Sequence, residues 1–254
     1  MRTWLWLVAP VVSLVACGGG APPPREPFTG DVGSMSALPP VQPMPVRPRT
    51  IGGRPDPTSG GGGRVLGTFR NTYYDFPAEG DFSGETVKLM SASCGVIAEV
   101  PRGFHDAVCV QGSGSLKRGG TVSFAKRSCA CAETCPRTGQ KICYDALDAA
   151  KFPYGRGAAG TPIMPLVTVA ADPTVLPLGT PIYIPELDGV PVPNGEPLDG
   201  CFLVEDRGSK VQGDHVDIFT GRPGITKVLN ERVPSNQGVT VVTEAPKCDR
   251  LKKR

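Results

Sequence analysis

The chain has 254 residues, with 27 Lys and Arg against 24 Asp and Glu and a formal net charge of +3. That excess is too small for a nucleic-acid footprint, and an aromatic content of 6 % supplies no stacking platform. The length leaves room for one domain with a real core beside a tether.

Residues 1–16 read as an export signal. Arg2 gives a short positive start, and 4–15 is apolar apart from Pro10 and Ser13, too short to span a membrane. The run ends in Leu14-Val15-Ala16-Cys17 followed by Gly18. This resembles a bacterial lipobox, which implies cleavage before Cys17 and lipidation of that cysteine. The plainer alternative is a secretory signal followed by a chance cysteine. Gly18 in place of aspartate points to the outer membrane, facing the periplasm, in a cell with two membranes. Residues 17–64 are rich in Pro and Gly, as in Pro22-Pro23-Pro24 and Gly60 to Gly63. They bury too little apolar surface to offset their ordering entropy and read as a disordered tether. The glycine run lacks the Gly-Lys-Ser/Thr ending of a phosphate-binding loop.

Residues 65–244 form the globular part. Strand patterns occur at 66–74, 85–90, 96–100, 107–111, 115–117, 122–125, 166–171, 181–185, 202–205, 215–219 and 239–243. Short helices are expected at 144–151 and 225–231. Many short strands separated by Gly and Pro favour a mainly β barrel or sandwich. Residues 245–254, ending in Lys252-Lys253-Arg254, read as a basic tail.

Beyond Cys17, eight cysteines remain: Cys94, Cys109, Cys129, Cys131, Cys135, Cys143, Cys201 and Cys248. An even number in an exported chain points to disulfides, with the pairing open. The spacing Cys129-x-Cys131-x3-Cys135-x7-Cys143 matches no standard zinc pattern and brings no histidine, so no metal is expected. No cofactor motif is present, and His105 has no partner in the pattern.

Two aspartates concentrate the chemical interest. In His215–Phe219 the alternation puts Val216 and Ile218 on one face and His215, Asp217 and Phe219 on the other. If the valine and isoleucine face the core, Asp217 faces a groove. Asp206 ends the preceding strand, sharing a face with Phe202 and Val204, and the loop with Gly208 and Gly213 turns the chain back. Two close carboxylates cannot both ionise freely, so one keeps its proton to higher pH and can act as an acid. The plainer reading is that Asp206-Arg207-Gly208 is a turn whose carboxylate bonds backbone N–H groups. Asp172, before Pro173, reads in isolation as a turn cap.

Together these segments resemble a known family. Val169-Ala170-Ala171-Asp172-Pro173, Pro177-Leu178-Gly179-Thr180-Pro181, Glu205-Asp206-Arg207-Gly208 and Gly213-x-His215-Val216-Asp217-Ile218-Phe219 look like the three-aspartate (3D) domain. That domain is shared by membrane-bound lytic transglycosylase A and related muralytic proteins, and the close match covers 166–220. The resemblance implies a double-psi β-barrel and cleavage of peptidoglycan between N-acetylmuramic acid and N-acetylglucosamine, leaving 1,6-anhydromuramoyl ends. It implies Asp217 as the single acid and base, Asp206 as its tuner and Asp172 as support, with His215, Gly208 and Gly213 on the substrate side. The expected partners are glycan strands, and the membrane only through a lipid. Two departures stand out. Residues 85–150 offer only a small, disulfide-stapled insert where that family has a second domain walling the groove. Arg207 stands where a small or apolar residue is common. The alternative function is a non-catalytic, wall-binding or expansin-like wall-loosening lipoprotein.

Overall fold

The computed structural model describes residues 62–193 and 195–253. The expected export signal, Cys17 and nearly all of the tether lie outside the described residues. No helix among the described residues is long and apolar enough to cross a membrane.

In chain order the elements are β1 (Arg64–Asp75), β2 (Thr86–Met90), β3 (Val96–Pro101), α1 (Arg102–Gln111), β4 (Ser113–Ser115), β5 (Thr121–Lys126) and β6 (Cys143–Leu147). There follow β7 (Thr168–Ala171), β8 (Pro181–Asp188), β9 (Asp199–Asp206), β10 (His215–Gly221), α2 (Pro223–Arg232) and β11 (Val239–Thr243). A 3-10 segment, Pro246–Lys253, comes last.

Six strands close into a barrel in the order β1-β10-β7-β9-β8-β11. The pairs β1–β10 and β7–β9 are parallel and the other four antiparallel. The mainly β, closed-barrel expectation is met. Alternate residues fill the barrel: Val169 and Ala171, Ile182 and Ile184, Phe202 and Val204, Val216 and Ile218, Val239 and Val241. Leu229 of α2 packs against the same core. Outside the barrel, Cys248 and Leu251 of the last segment are buried with Tyr183, Cys201 and Leu203, and the Cys201–Cys248 disulfide fastens it there.

The insert between β1 and β7 has its own core of Leu89, Val100, Phe104, Val108, Val122 and Tyr144. It holds a β2–β3 hairpin, α1 and a β4-β5-β6 sheet. Three disulfides staple it: Cys94–Cys131, Cys109–Cys135 and Cys129–Cys143. The sulfurs of Cys94, Cys129 and Cys131 lie within 4.8 Å of one another, each engaged in a disulfide. Thus all eight candidate cysteines are paired.

Two sequence expectations are corrected. Residues 107–111 are the last turns of α1, not a strand. The β-branched Val108 and Val110 suggested a strand, but Phe104, His105, Val108 and Cys109 form one buried helical stripe. Gly112, at φ +87°, ends the helix with its N–H on the Val108 carbonyl. Conversely, 144–147 belongs to strand β6. Pairing with β5 outweighs the helix preference of Ala146 and Leu147, because Cys143 and Tyr144 are fully buried there.

Candidate active site

Four adjacent barrel strands lay the floor of the site in one register row. Thr72 of β1 pairs with Asp217 of β10, Asp217 pairs with Ala170 of β7, and Ala170 pairs with Asp206 of β9. The two carboxylates therefore flank the methyl group of Ala170. Strict alternation would have sent Asp206 inward with Phe202 and Val204. A register shift between Val169 and Ala170, opposite Val204 and Asp206, inserts an extra residue and turns Asp206 to the Ala170 side. Glu205 is consequently buried behind the floor, where the Thr168 hydroxyl donates to it at 2.7 Å. Val216 and Ile218 point into the core, so Asp217 faces the groove as its alternation predicts.

The two acids have different surroundings. Asp206 accepts hydrogen bonds from the Ala158 backbone N–H at 3.1 Å and from the Tyr74 hydroxyl at 3.1 Å. Burial raises its pKa, against the lowering effect of these donors, the Arg207 N–H and the Arg207 charge. Ala158 is brought close because Gly157 packs on the β9 backbone, where a Cβ would lie 2.5 Å from the Glu205 carbonyl oxygen. Asp217 accepts one hydrogen bond, from the Thr72 hydroxyl at 2.7 Å. Burial pushes its pKa up to about 6 and the charge of Asp206 adds to the rise, while the Thr72 bond and Arg70 oppose it. Its Oδ2 has no hydrogen-bond partner among the described residues. An acid half-protonated near pH 6 with one oxygen unengaged suits proton transfer.

His215 is buried, and its Nε2 lies 2.8 Å from the Thr72 hydroxyl. Its Nδ1 lies 3.3 Å from the Lys210 carbonyl oxygen, so the ring sits between that carbonyl and the Thr72 hydroxyl. Burial, then the charge of Arg70, lowers the pKa of His215, against the contact with the Lys210 carbonyl. It backs Thr72 and does not line the groove.

Asp172 is a loop clamp. Its Oδ1 accepts from the N–H and hydroxyl of Thr174, and its Oδ2 accepts from the Gly213 N–H at 2.9 Å. The Gly213 bond, then those from Thr174, hold its pKa below the usual value. Asp172 does not line the groove; it ties the loop after β7 to the loop that precedes β10. Gly213 serves there with φ +63°, whereas Gly208 lines the groove itself.

The groove above this floor has a volume of about 750 Å³. One side is the barrel. The other is the insert, through Gln111, Phe124, Arg127, Arg137 and Gln140, with Arg156 on the return to β7. The small insert thus supplies the second wall that its size had argued against. The disulfides tie its hairpin, α1 and loops into one compact body, so few residues are needed to make that face. His105 stays inside the insert, buried, with Nδ1 2.8 Å from Asp106.

Sequence reasoning missed Thr72, Tyr74, Ala170 and Ala158 as site residues. Thr72 and Tyr74 share one face of β1 by alternation, which was legible. That β1 pairs with β10, across about 145 intervening positions of chain, was not.

Residues 167–226 match the profile of the 3D domain. A segment of 68 residues is 35 % identical to the membrane-bound lytic murein transglycosylase A of Vibrio cholerae, covering 26 % of this chain and 18 % of that protein. The chain therefore spans less than a fifth of this curated relative. Among solved structures, E. coli MltA with bound chitohexaose aligns over 70 % of this chain and 72 % of its own, with TM-score 0.49 and 15 % identity. A membrane-bound lytic murein transglycosylase from Agrobacterium tumefaciens aligns over 59 % and 52 %, with TM-score 0.42 and 17 % identity. The stretch that matches the 3D domain is the one that holds Asp172, Asp206 and Asp217.

Proposed function

We propose that the chain cleaves the glycan strands of peptidoglycan by lytic transglycosylation. One observation carries the reading: Asp217, with a pKa of about 6, sits on the floor of a two-walled groove beside a second, better-bonded carboxylate. Protonated Asp217 donates to the oxygen linking C1 of N-acetylmuramic acid to the next N-acetylglucosamine, and that C1–O bond breaks. The resulting carboxylate takes the proton of the C6 hydroxyl as its oxygen bonds to C1. The acid is regenerated, water is not consumed, and a 1,6-anhydro end is left. A second carboxylate to activate water, as in hydrolysis, is unnecessary. Asp206 raises the pKa of Asp217 through its charge and Asp172 holds the neighbouring loops.

The family relationship of the 3D segment to murein transglycosylases supports the substrate class. The test is digestion of purified sacculi followed by mass analysis. Anhydromuramoyl products support the reading, reducing ends would indicate hydrolysis, and sacculi bound but intact would leave a wall-binding module.

The proposal extends to the cell envelope, with Cys17 lipidated and residues 17–64 as tether below the 65–244 domain. Membrane partitioning unchanged in Cys17→Ala would overturn the anchor.

The pH dependence follows from the same groups. Activity needs Asp217 protonated in the free chain, so kcat/KM is flat well below pH 6 and falls about tenfold per unit above it. Thr72→Val removes a bond that favours the carboxylate and moves this limb to higher pH. Asp206→Asn removes a repelling charge and moves it lower. Limbs that stay in place in both variants would refute the assignment of Asp217.

A further inference from the structure

The charges lining the groove are sorted by wall. The acids among its lining residues are Asp206 and Asp217, both on the barrel floor. The cations are Arg127, Arg137 and Arg156 on the insert side, and Arg207 at the end of β9. No lining residue of the insert is acidic.

These guanidinium groups are held to different degrees. Arg127 lies over the Phe124 ring at 4.5 Å and donates from Nε to Gln140 at 3.2 Å, which fixes its plane and leaves its Nη groups. Arg156 is ion-paired with Asp145. Arg137 and Arg207 are exposed and form no close ion pair among the described residues, although the charge of Arg207 acts on Asp206.

A ligand that fits this sorting is uncharged where it crosses the floor and anionic along one flank. A polyanion would run its charges past Asp206 and Asp217 as well. A neutral glycan would leave the cations of the insert unused.

We propose that Arg127 and Arg137 form a carboxylate-reading subsite on the insert wall, which engages the acid groups carried on the 3-oxygen side chain of muramoyl residues while the sugar backbone lies over the floor. This rests on the transglycosylase reading for the identity of the sugar. The acid groups have two sources: the lactyl carboxylate itself and the carboxylates of an attached stem peptide. Guanidinium pairs carboxylates through parallel, charge-assisted hydrogen bonds, so the gain is one of specificity as well as affinity. The role falls to the insert because a further cation close to Asp217 would add to the lowering that Arg70 already exerts on its pKa.

The test measures binding, so that it does not depend on turnover. Calorimetric titration would compare three soluble probes of equal sugar length: an N-acetylglucosamine oligomer, a stem-free peptidoglycan glycan bearing lactyl carboxylates, and a glycan bearing stem peptides. The expected result is at least about tenfold tighter binding of an anionic glycan than of the neutral oligomer, shrinking as salt is raised. R127Q/R137Q should erase that difference and leave the neutral oligomer unaffected. R137Q alone, at an exposed position, should erase part of it without disturbing the Phe124 stack. Tight binding of the stem-free glycan assigns the lactyl group, and tight binding of the stem-bearing glycan alone assigns the peptide. Equal affinity for all three probes overturns the subsite, as does an equal loss on all three in R137Q. Product analysis of the same mixtures reports separately on cleavage: anionic preference without anhydro products would sink the transglycosylase reading and leave the subsite standing.

Discussion

Asp217→Asn is expected to abolish anhydromuramoyl release from sacculi, lowering the rate by about 10²–10⁴-fold, the range for a general acid–base group. The loss should reach the upper end, because in the proposed mechanism the same carboxylate serves both proton transfers and no neighbour is placed to replace it. Asp206 lies across Ala170 but is committed to the Ala158 N–H and the Tyr74 hydroxyl. Asparagine keeps the shape of aspartate and still accepts from Thr72, so the melting temperature should hold or rise, since a buried charge is removed. Glycan binding should persist. A variant retaining a tenth or more of the parental rate would show that Asp217 is not the acid. Equal losses in Asp217→Asn and Asp206→Asn, with no shift of the pH limb in the latter, would mean a carboxylate pair acting as one unit.

Cys109→Ala/Cys135→Ala is expected to dismantle the second wall. The bond closes a separation of 26 residues and ties α1 to the loop ahead of β6. Chain-entropy reasoning gives about 3–4 kcal/mol for a loop of that size. The insert core is small, so a loss of this order is a large share of its stability. Cys109 also lines the groove, one residue from Val110 and two from Gln111. The barrel core contains neither cysteine. Proteolysis should therefore begin within 102–143 while the barrel strands remain protected, and glycan binding should weaken more than the Asp217 environment changes. An unchanged protease map and melting profile would show that the remaining two insert disulfides suffice.

Much of this site was legible in the sequence, for identifiable reasons. The facing of Asp217 followed from alternation in His215–Phe219, which lies ahead of the register shift at the end of β10. Asp206 was brought near by the short loop with Gly208 and Gly213, but its direction depends on a bulge, which alternation cannot foresee. The partners of both acids, Thr72, Tyr74 and Ala158, come from β1 and the insert's return loop. These are long-range pairings for which local pattern holds no signal. The second wall was underestimated because its size was judged by residue number. Cross-linking lets a few residues make a rigid face. Asp172 shows the converse: its local turn-cap geometry was readable, and the structure adds the long-range bond to Gly213.

The position of β1 in the barrel has a consequence for how the chain is made. Its two neighbours are β10 and β11, so the first strand waits for the last before the ring can shut. The insert, by contrast, carries its own core and three internal cross-links within contiguous sequence. Long-range parallel pairing is slow to form, and local sheets form sooner. On this basis the order of assembly runs from the cross-linked wall to the floor of the groove. Pulse-labelled hydrogen exchange during refolding should protect β5 amides before those of Arg70–Tyr74, and the reverse order would refute it. A chain built this way can bring Asp206 and Asp217 together across Ala170 with β7, β9 and β10 alone, but it gives Asp217 its Thr72 hydroxyl only when β1 joins β10.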